Sequence, residues 1–225
     1  MENLEADAFV DPFPHLIIKN FYNDDELELI WEELKFYTKP GKLLTAKDFG
    51  GVVKKTNSHA LLLDAIYTIR TGKNPVNYRK VSNILTVNRK AFDKSILEAL
   101  SSLHECCVHA KDANHDVTKV RYYHNGEYYK PHRDTLQQFL AFSYFHKEPK
   151  KFEGGELYFP IYDYEFSCDN NSIIFLPGWV EHGVREVKID DSNYYDGWGR
   201  YAITHFLSFI HKGSSNENKS KSDSV

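Results

Sequence analysis

VRYYHNGEYYKPHRD, residues 120–134, decides how the rest of this chain is read. Apolar and aromatic residues run up to the turn pair Asn125-Gly126, and a second short strand resumes beyond it. The stretch closes on His132-Arg133-Asp134. In extended backbone, residues i and i+2 project to the same face, so one imidazole and one carboxylate converge on one point. Alone, a His and an Asp two apart form a weak signal, since a surface ion pair gives the same pattern. The surroundings supply the weight.

Downstream the hydrophobic period is close to two. Strands are expected at about 117–123, 128–132, 138–146, 155–161, 171–176, 183–188 and 200–210, punctuated by Gly, Pro, Asn and Asp. Upstream the pattern differs. Pro14 to Phe21 reads as a strand, and Asn23 with Asp24, Asp25 and Glu26 supplies an N-cap and acidic first turn. Leu27, Ile30, Trp31 and Leu34 follow at helical spacing, ended by Pro40-Gly41. A short helix is expected over 60–70 and a longer one from about Asp93 to about Ala110. Residues 41–58 read as a loop or weak hairpin around Gly50-Gly51, and 213–225 as a disordered tail. Helices first and strands later indicate a mainly β, α+β chain. One domain is expected over 1–212, its strand-rich core at about 117–210 and an N-terminal strand and helices at 10–112.

Composition sets outer bounds. At 225 residues, 41% hydrophobic and 27% charged, the chain suits one domain with a real core. Its 28 Lys+Arg and 32 Asp+Glu leave a net charge of −4, which argues against a nucleic-acid or anionic-membrane partner. No apolar run reaches membrane-spanning length, and the N-terminus lacks the basic-then-apolar pattern of a secretory signal. Three cysteines, two of them the adjacent Cys106-Cys107, make neither a disulfide framework nor a zinc knuckle. A cytoplasmic, reducing location is the expectation.

His182 follows the apolar run Ile173 to Leu176 at the start of another strand. Two His and one carboxylate on one face of an octahedron leave three positions open, which suits Fe(II) that binds a bidentate co-substrate and then oxygen. A closed zinc site needs a fourth ligand, and none is evident. Beyond the triad, FEGGELYFP (152–160), SIIFLPGWVEHGVREV (172–187) and GRYAITHFLSF (199–209) come in a definite order. With the opening stretch, this order resembles the Fe(II)- and 2-oxoglutarate-dependent dioxygenases of the prolyl 4-hydroxylase type. The matching positions are Tyr123, Gly126, Tyr129, Pro131, His132, Asp134, Gly154, Gly155, Leu157, Phe175, His182 and Arg200.

The resemblance implies a double-stranded β-helix, or jelly roll, braced by the N-terminal helices. It implies that His132, Asp134 and His182 ligate Fe(II), and that Arg200 holds the far carboxylate of 2-oxoglutarate. The planar fork of Arg matches a carboxylate bidentately. Arg185 is the rival anchor, although it alternates away from the His182 and Val184 face. Val184, Tyr144, Tyr123 and Thr204 are implied to face the co-substrate, with Tyr122 one register from Tyr123 left as an alternative. Gly154-Gly155 reads as a bulge or turn, and Trp179 either lines the substrate mouth or closes the barrel end. The chain departs from the family pattern at Glu186, at Ala202 and in the long excursion 188–199.

The activity so implied is hydroxylation of a prolyl residue in a peptide or protein. O2 is consumed, 2-oxoglutarate goes to succinate and CO2, and ascorbate supports turnover. The alternatives are hydroxylation of a free amino acid or other small molecule, and a non-catalytic metal-binding barrel that acts as a binding module.

Overall fold

The computed structural model describes residues 5–48, 55–69, 76–190 and 193–209. The expected Gly50-Gly51 hairpin tip and the 213–225 tail lie outside these residues.

The chain opens with the hairpin β1 (Glu5–Phe9) and β2 (His15–Lys19), then helix α1 (Asp24–Tyr37). The Asn23 side chain accepts from Glu26 N at 2.9 Å, and Glu26 Oε2 accepts from Asn23 N at 2.9 Å. This reciprocal capping box starts the helix at the expected place. Ile30, Leu34 and Tyr37 are its buried face. The strand β1 lacks an apolar alternation, and it forms as an outer strand paired along β2.

The expected helix over 60–70 is mostly absent. His59–Leu62 forms strand β3, and only Leu63–Tyr67 is helical (α2). A short apolar run is ambiguous between the two states. Here the sheet edge captures it, with Leu61 opposite Val120. Helix α3 (Asn83–Val87) begins on the Ser82 cap, and α4 covers Lys94–Leu103. The latter stops before the expected Ala110 because His104 is extended and its ring accepts from Cys106 N, opening a separate 3-10 turn over Glu105–Asp112.

From there the chain is strands: β4 (His115–Tyr123), β5 (Tyr129–His132), β6 (Phe139–Phe145), β7 (Leu157–Phe159), β8 (Tyr164–Phe166), β9 (Ser172–Pro177), β10 (His182–Val184) and β11 (Arg200–Ser208). The strand expected over 155–161 is β7, shorter than expected. Its partner β8 went unread because the reversal turns on Asp163 in the left-handed region. A seven-stranded antiparallel sheet has the order β1-β2-β9-β6-β11-β4-β3, and a four-stranded one the order β8-β7-β10-β5. The two face each other as a double-stranded β-helix, with the helices behind the larger sheet.

Alternation along the central strands separates two cores. On β4 and β11, Val120, Tyr122, Tyr201, Ile203 and Leu207 pack outward against helix residues such as Ile30, Leu34, Leu97 and Leu100. The alternate positions point between the sheets, where Tyr123, Leu140, Tyr144, Phe159 and Leu176 form the second core. No helix among the described residues is long and apolar enough to cross a membrane.

Candidate functional site

The space between the sheets opens as a cleft of about 450 Å³, counting the solvent at its mouth. His132 ends β5 and His182 begins β10, and these two residues stand opposite each other in the strand pairing. Asp134 lies just past β5, on a loop tied to the turn before β10. Asp134 N donates to Gly178 O at 3.0 Å, and Gly178 N donates to Gln138 O at 3.0 Å. Only glycine fits that turn, since a Cβ on Gly178 would stand 2.2 Å from Gln137 O and 2.5 Å from Asp134 O.

The two imidazoles are oriented alike. His132 Nδ1 donates to Lys130 O at 3.0 Å and His182 Nδ1 to Val180 O at 2.9 Å. A carbonyl can only accept, so each Nε2 carries the lone pair and points inward. Those Nε2 atoms lie 3.8 Å and 3.6 Å from Asp134 Oδ2. Burial, then the neighbouring His182, pushes His132 down to about 3. Burial likewise lowers His182. Both rings are thus neutral donors at physiological pH. This is the one cluster of three or more His, Cys, Asp or Glu among the described residues that could hold a metal ion. Two imidazole nitrogens and one carboxylate on one side of a cleft are a donor set that fits Fe(II).

Arg200, at the start of β11, is 2% exposed and enters the cleft from its deep end. Its guanidinium carbon sits 4.9 Å from the Tyr123 ring centroid and 4.7 Å from that of Tyr144. Nη2 donates to Cys168 Sγ at 3.5 Å, while Nε and Nη1 have no hydrogen-bond partner among the described residues. The Tyr144 hydroxyl is buried and also lacks a partner. Burial would disfavour the charge, but Cys168, Tyr144 and Tyr123 outweigh it and hold Arg200 cationic. A buried fork with two unsatisfied donors is suited to a carboxylate arriving from the cleft.

All eight residues singled out from the sequence line this cleft: Tyr123, His132, Asp134, Tyr144, His182, Val184, Arg200 and Thr204. The alternatives lie elsewhere. Tyr122 packs in the outer core and accepts from Gly199 N at 3.0 Å. Arg185 is half-exposed and pairs with Glu165. Trp179 is 44% exposed and does not line the cleft. Gly155 differs from expectation: besides its positive φ of 78° it lies against Arg200, since a Cβ there would stand 2.7 Å from Arg200 Cδ.

Sequence reasoning missed Lys119 and Arg121, which share the inward face of β4 with Tyr123. Counting back by two from Tyr123 would have found them. It also gave no role to the Tyr129 ring, which stacks on His132 with centroids 4.0 Å apart. Cys168 had no sequence signal, because its place depends on a left-handed backbone at φ 58°.

Residues 118–208 match the profile of the 2OG-Fe(II) oxygenase superfamily. No curated protein sequence matches the chain. Among solved structures, a Pseudomonas putida prolyl-4-hydroxylase superposes with a TM-score of 0.54 at 13% identity, covering 88% of this chain and 93% of its own. A Burkholderia pseudomallei oxidoreductase of the 2OG-Fe(II) oxygenase family gives 0.53 at 14%, covering 86% and 84%. A Phytophthora capsici prolyl 4-hydroxylase gives 0.55 at 14%, covering 87% and 59%. At such identities the likeness is one of fold.

Proposed function

We propose that this chain, whose residues 118–208 match the profile of the 2OG-Fe(II) oxygenase superfamily, is an Fe(II)- and 2-oxoglutarate-dependent dioxygenase that hydroxylates a prolyl residue of a peptide or protein. The observation that carries the oxygenase reading is the pairing of two features in one cleft. A neutral His132–Asp134–His182 donor set stands at one level, and the buried, half-satisfied fork of Arg200 stands at another. The prolyl substrate is supported by the likeness in fold to the two prolyl hydroxylases and by the motif order in the sequence.

His132, Asp134 and His182 would hold Fe(II). With 2-oxoglutarate and O2 bound, that ion would supply the oxidising chemistry that turns a C–H bond into an alcohol while 2-oxoglutarate becomes succinate and CO2. This chain's residues bind, orient and shield. Arg200 takes the far carboxylate of 2-oxoglutarate on Nε and Nη1, and the Tyr144 hydroxyl, whose pKa burial raises, stays protonated to donate beside it. Val184 and Leu157 wall the methylene chain, and Phe142, whose ring centroid is 5.3 Å from that of His182, keeps water from that side. The Lys130 and Val180 carbonyls fix each imidazole's tautomer. Ascorbate would keep the iron reduced between turnovers.

Succinate production with Fe(II), ascorbate and 2-oxoglutarate, with and without proline-containing peptides, tests the reading. Turnover stimulated by a peptide, abolished by His132→Ala and restored in Arg200→Ala only by high 2-oxoglutarate, is the expected result. Absence of both turnover and 2-oxoglutarate binding overturns it.

A second reading, a small carboxylic acid as substrate, is favoured by the two cations on β4.

A further inference from the structure

Arg200 is confined from several sides, and each side uses a different part of the fold. Its strand β11 runs between β4 and β6 in the larger sheet. Tyr123 stands opposite Arg200 in the β4 pairing, and Tyr144 stands opposite Ala202 in the β6 pairing. The two rings therefore approach the guanidinium from opposite sides, with centroids 4.9 Å and 4.7 Å from its carbon. Gly155 leaves the stem its passage. Attraction to ring faces depends on distance and does not decide which N–H points where. That direction comes from the loop between β8 and β9. Among the described residues, the one hydrogen bond to the fork is from Nη2 to Cys168 Sγ, at 3.5 Å.

The sulfur is itself aimed. Sγ donates to Phe166 O at 3.3 Å and accepts from Leu157 N at 3.3 Å. A carbonyl can only accept, so the thiol hydrogen lies toward Phe166 and the sulfur lone pairs face the two N–H donors. Cys168 takes this place with a φ of 58°, in a loop closed by Ser172 Oγ donating to Asp169 O. The chemistry of the thiol then decides what Arg200 keeps. A thiolate would face the Phe166 carbonyl with no hydrogen between them. Burial raises the thiol's pKa, against the opposing pull of Arg200. The neighbour is thus a neutral acceptor, which holds Nη2 and leaves the positive charge in place. A carboxylate there would also hold the fork, but it would cancel that charge. Nε and Nη1 stay unpaired among the described residues, on a side chain that is 2% exposed and lines the cleft.

We propose that Cys168 is a positioning residue for 2-oxoglutarate: its sulfur holds Arg200 by Nη2 and so presents Nε and Nη1 to the far carboxylate of the co-substrate. The proposal rests on the dioxygenase reading and deepens it at the co-substrate end of the same site. Cys168 is not among the residues that line the cleft, so it acts through Arg200 and not on the ligand. Its influence falls on ligands that carry a far carboxylate and spares those that lack one. Aspartate in its place closes the site to 2-oxoglutarate, because Arg200 then already has its anion.

The test uses the full chain loaded with Mn(II), titrated by calorimetry with 2-oxoglutarate and with 2-oxopentanoate. The latter has the same carbon chain and no far carboxylate. Cys168→Ala should weaken 2-oxoglutarate about tenfold and 2-oxopentanoate by less than about twofold. Cys168→Ser, whose hydroxyl can donate to Phe166 O and accept from Nη2, should regain most of that loss. Cys168→Asp, an exchange that a positive φ tolerates, should weaken 2-oxoglutarate at least about a hundredfold while Mn(II) affinity holds. Unchanged 2-oxoglutarate affinity in the Ala variant overturns the proposal, and so does an equal loss of both ligands. A Ser variant no better than Ala overturns it too. A second measurement keeps Cys168 in place. In the protein carrying Cys106→Ser and Cys107→Ser it is the only thiol. Its S–H stretching band should shift on addition of 2-oxoglutarate and hold still with 2-oxopentanoate. A band indifferent to 2-oxoglutarate overturns the proposal even where no Cys168 variant folds. Failure of the wild type to bind 2-oxoglutarate at all removes the dioxygenase reading and this proposal with it, a separate and recognisable result.

Discussion

Gly155 lies so close to Arg200 that a methyl group on it would stand 2.7 Å from Arg200 Cδ and 3.1 Å from Val187 Cγ2. The Arg200 side chain runs past a glycine because nothing larger leaves it room. The same residue has a φ of 78°, which an L side chain adopts at a cost of roughly 1 kcal/mol. Gly155→Ala is therefore expected to lower stability by about that amount and to displace the guanidinium, raising the KM for 2-oxoglutarate about tenfold. Mn(II) affinity, which depends on residues across the cleft, should hold. Titrating both ligands into the variant checks this, and equal loss of metal and 2-oxoglutarate would refute it.

In the proposed function Arg200 trades stability for binding. Among the described residues its Nε and Nη1 are buried without hydrogen-bond partners, and the Tyr123 and Tyr144 rings and Cys168 offset the charge. Exchange of a buried, incompletely paired ion for an apolar side chain is often neutral or stabilising by about 1–4 kcal/mol. Arg200→Met should thus melt a few degrees higher than wild type without ligand. Added 2-oxoglutarate with Mn(II) should raise the wild-type Tm and leave that of the variant unmoved. Thermal denaturation with and without ligand decides it, and a variant still protected by 2-oxoglutarate would reject Arg200 as the anchor.

Tyr129 acts through His132. Its ring stacks on the imidazole at 4.0 Å and 20° from parallel, under the Arg121 guanidinium. Ring orientation of a ligating His depends on such support. Tyr129→Ala should weaken Mn(II) binding about tenfold, and Tyr129→Phe, which keeps the stack, should restore it. Electron paramagnetic resonance of free Mn(II) measures both. Loss in the Phe variant as well would show that the hydroxyl matters and the stack does not.

The parts of the site that could be read in the sequence were those carried by ordered motifs. His132, Asp134, His182 and Arg200 stand in segments whose turn residues and apolar runs leave few alternative registers. The helices were less legible. Ala60 to Leu63 satisfies helical and extended periods alike, and the free edge of β4 settled it as a strand. The break at His104 comes from a side-chain cap on Cys106 N, with neither Gly nor Pro to announce it. Lys119 and Arg121 were hidden for another reason. Cations on a strand are ordinarily solvent-facing, and only the pairing of β4 between β3 and β11 turns these two inward.

His205 gives the fold a pH dependence separate from the His132–Asp134–His182 cluster. It lies on β11 facing away from Arg200, 2% exposed, with both ring nitrogens lacking hydrogen-bond partners among the described residues. Burial holds it down at about 4; Asp116 opposes that shift, and Arg89 and Arg79 reinforce it. Between the ordinary value of 6.5 and about 4, the unfolded chain binds a proton that the folded chain refuses. Stability therefore rises with pH through this window and is lost on acidification, by up to about 3 kcal/mol for this residue. Asp116 acts in the same direction at lower pH: burial would raise its pKa, but His205, Arg89 and Arg79 together hold it below the usual carboxylate value. His205→Gln should leave stability at pH 7.5 little changed and flatten its fall between pH 6.5 and 4.5. Urea denaturation of both proteins across that range tests this, because His132 and His182 contribute equally to each and cancel in the difference. A wild-type-minus-variant difference that stays constant with pH would show that His205 is not the group responsible.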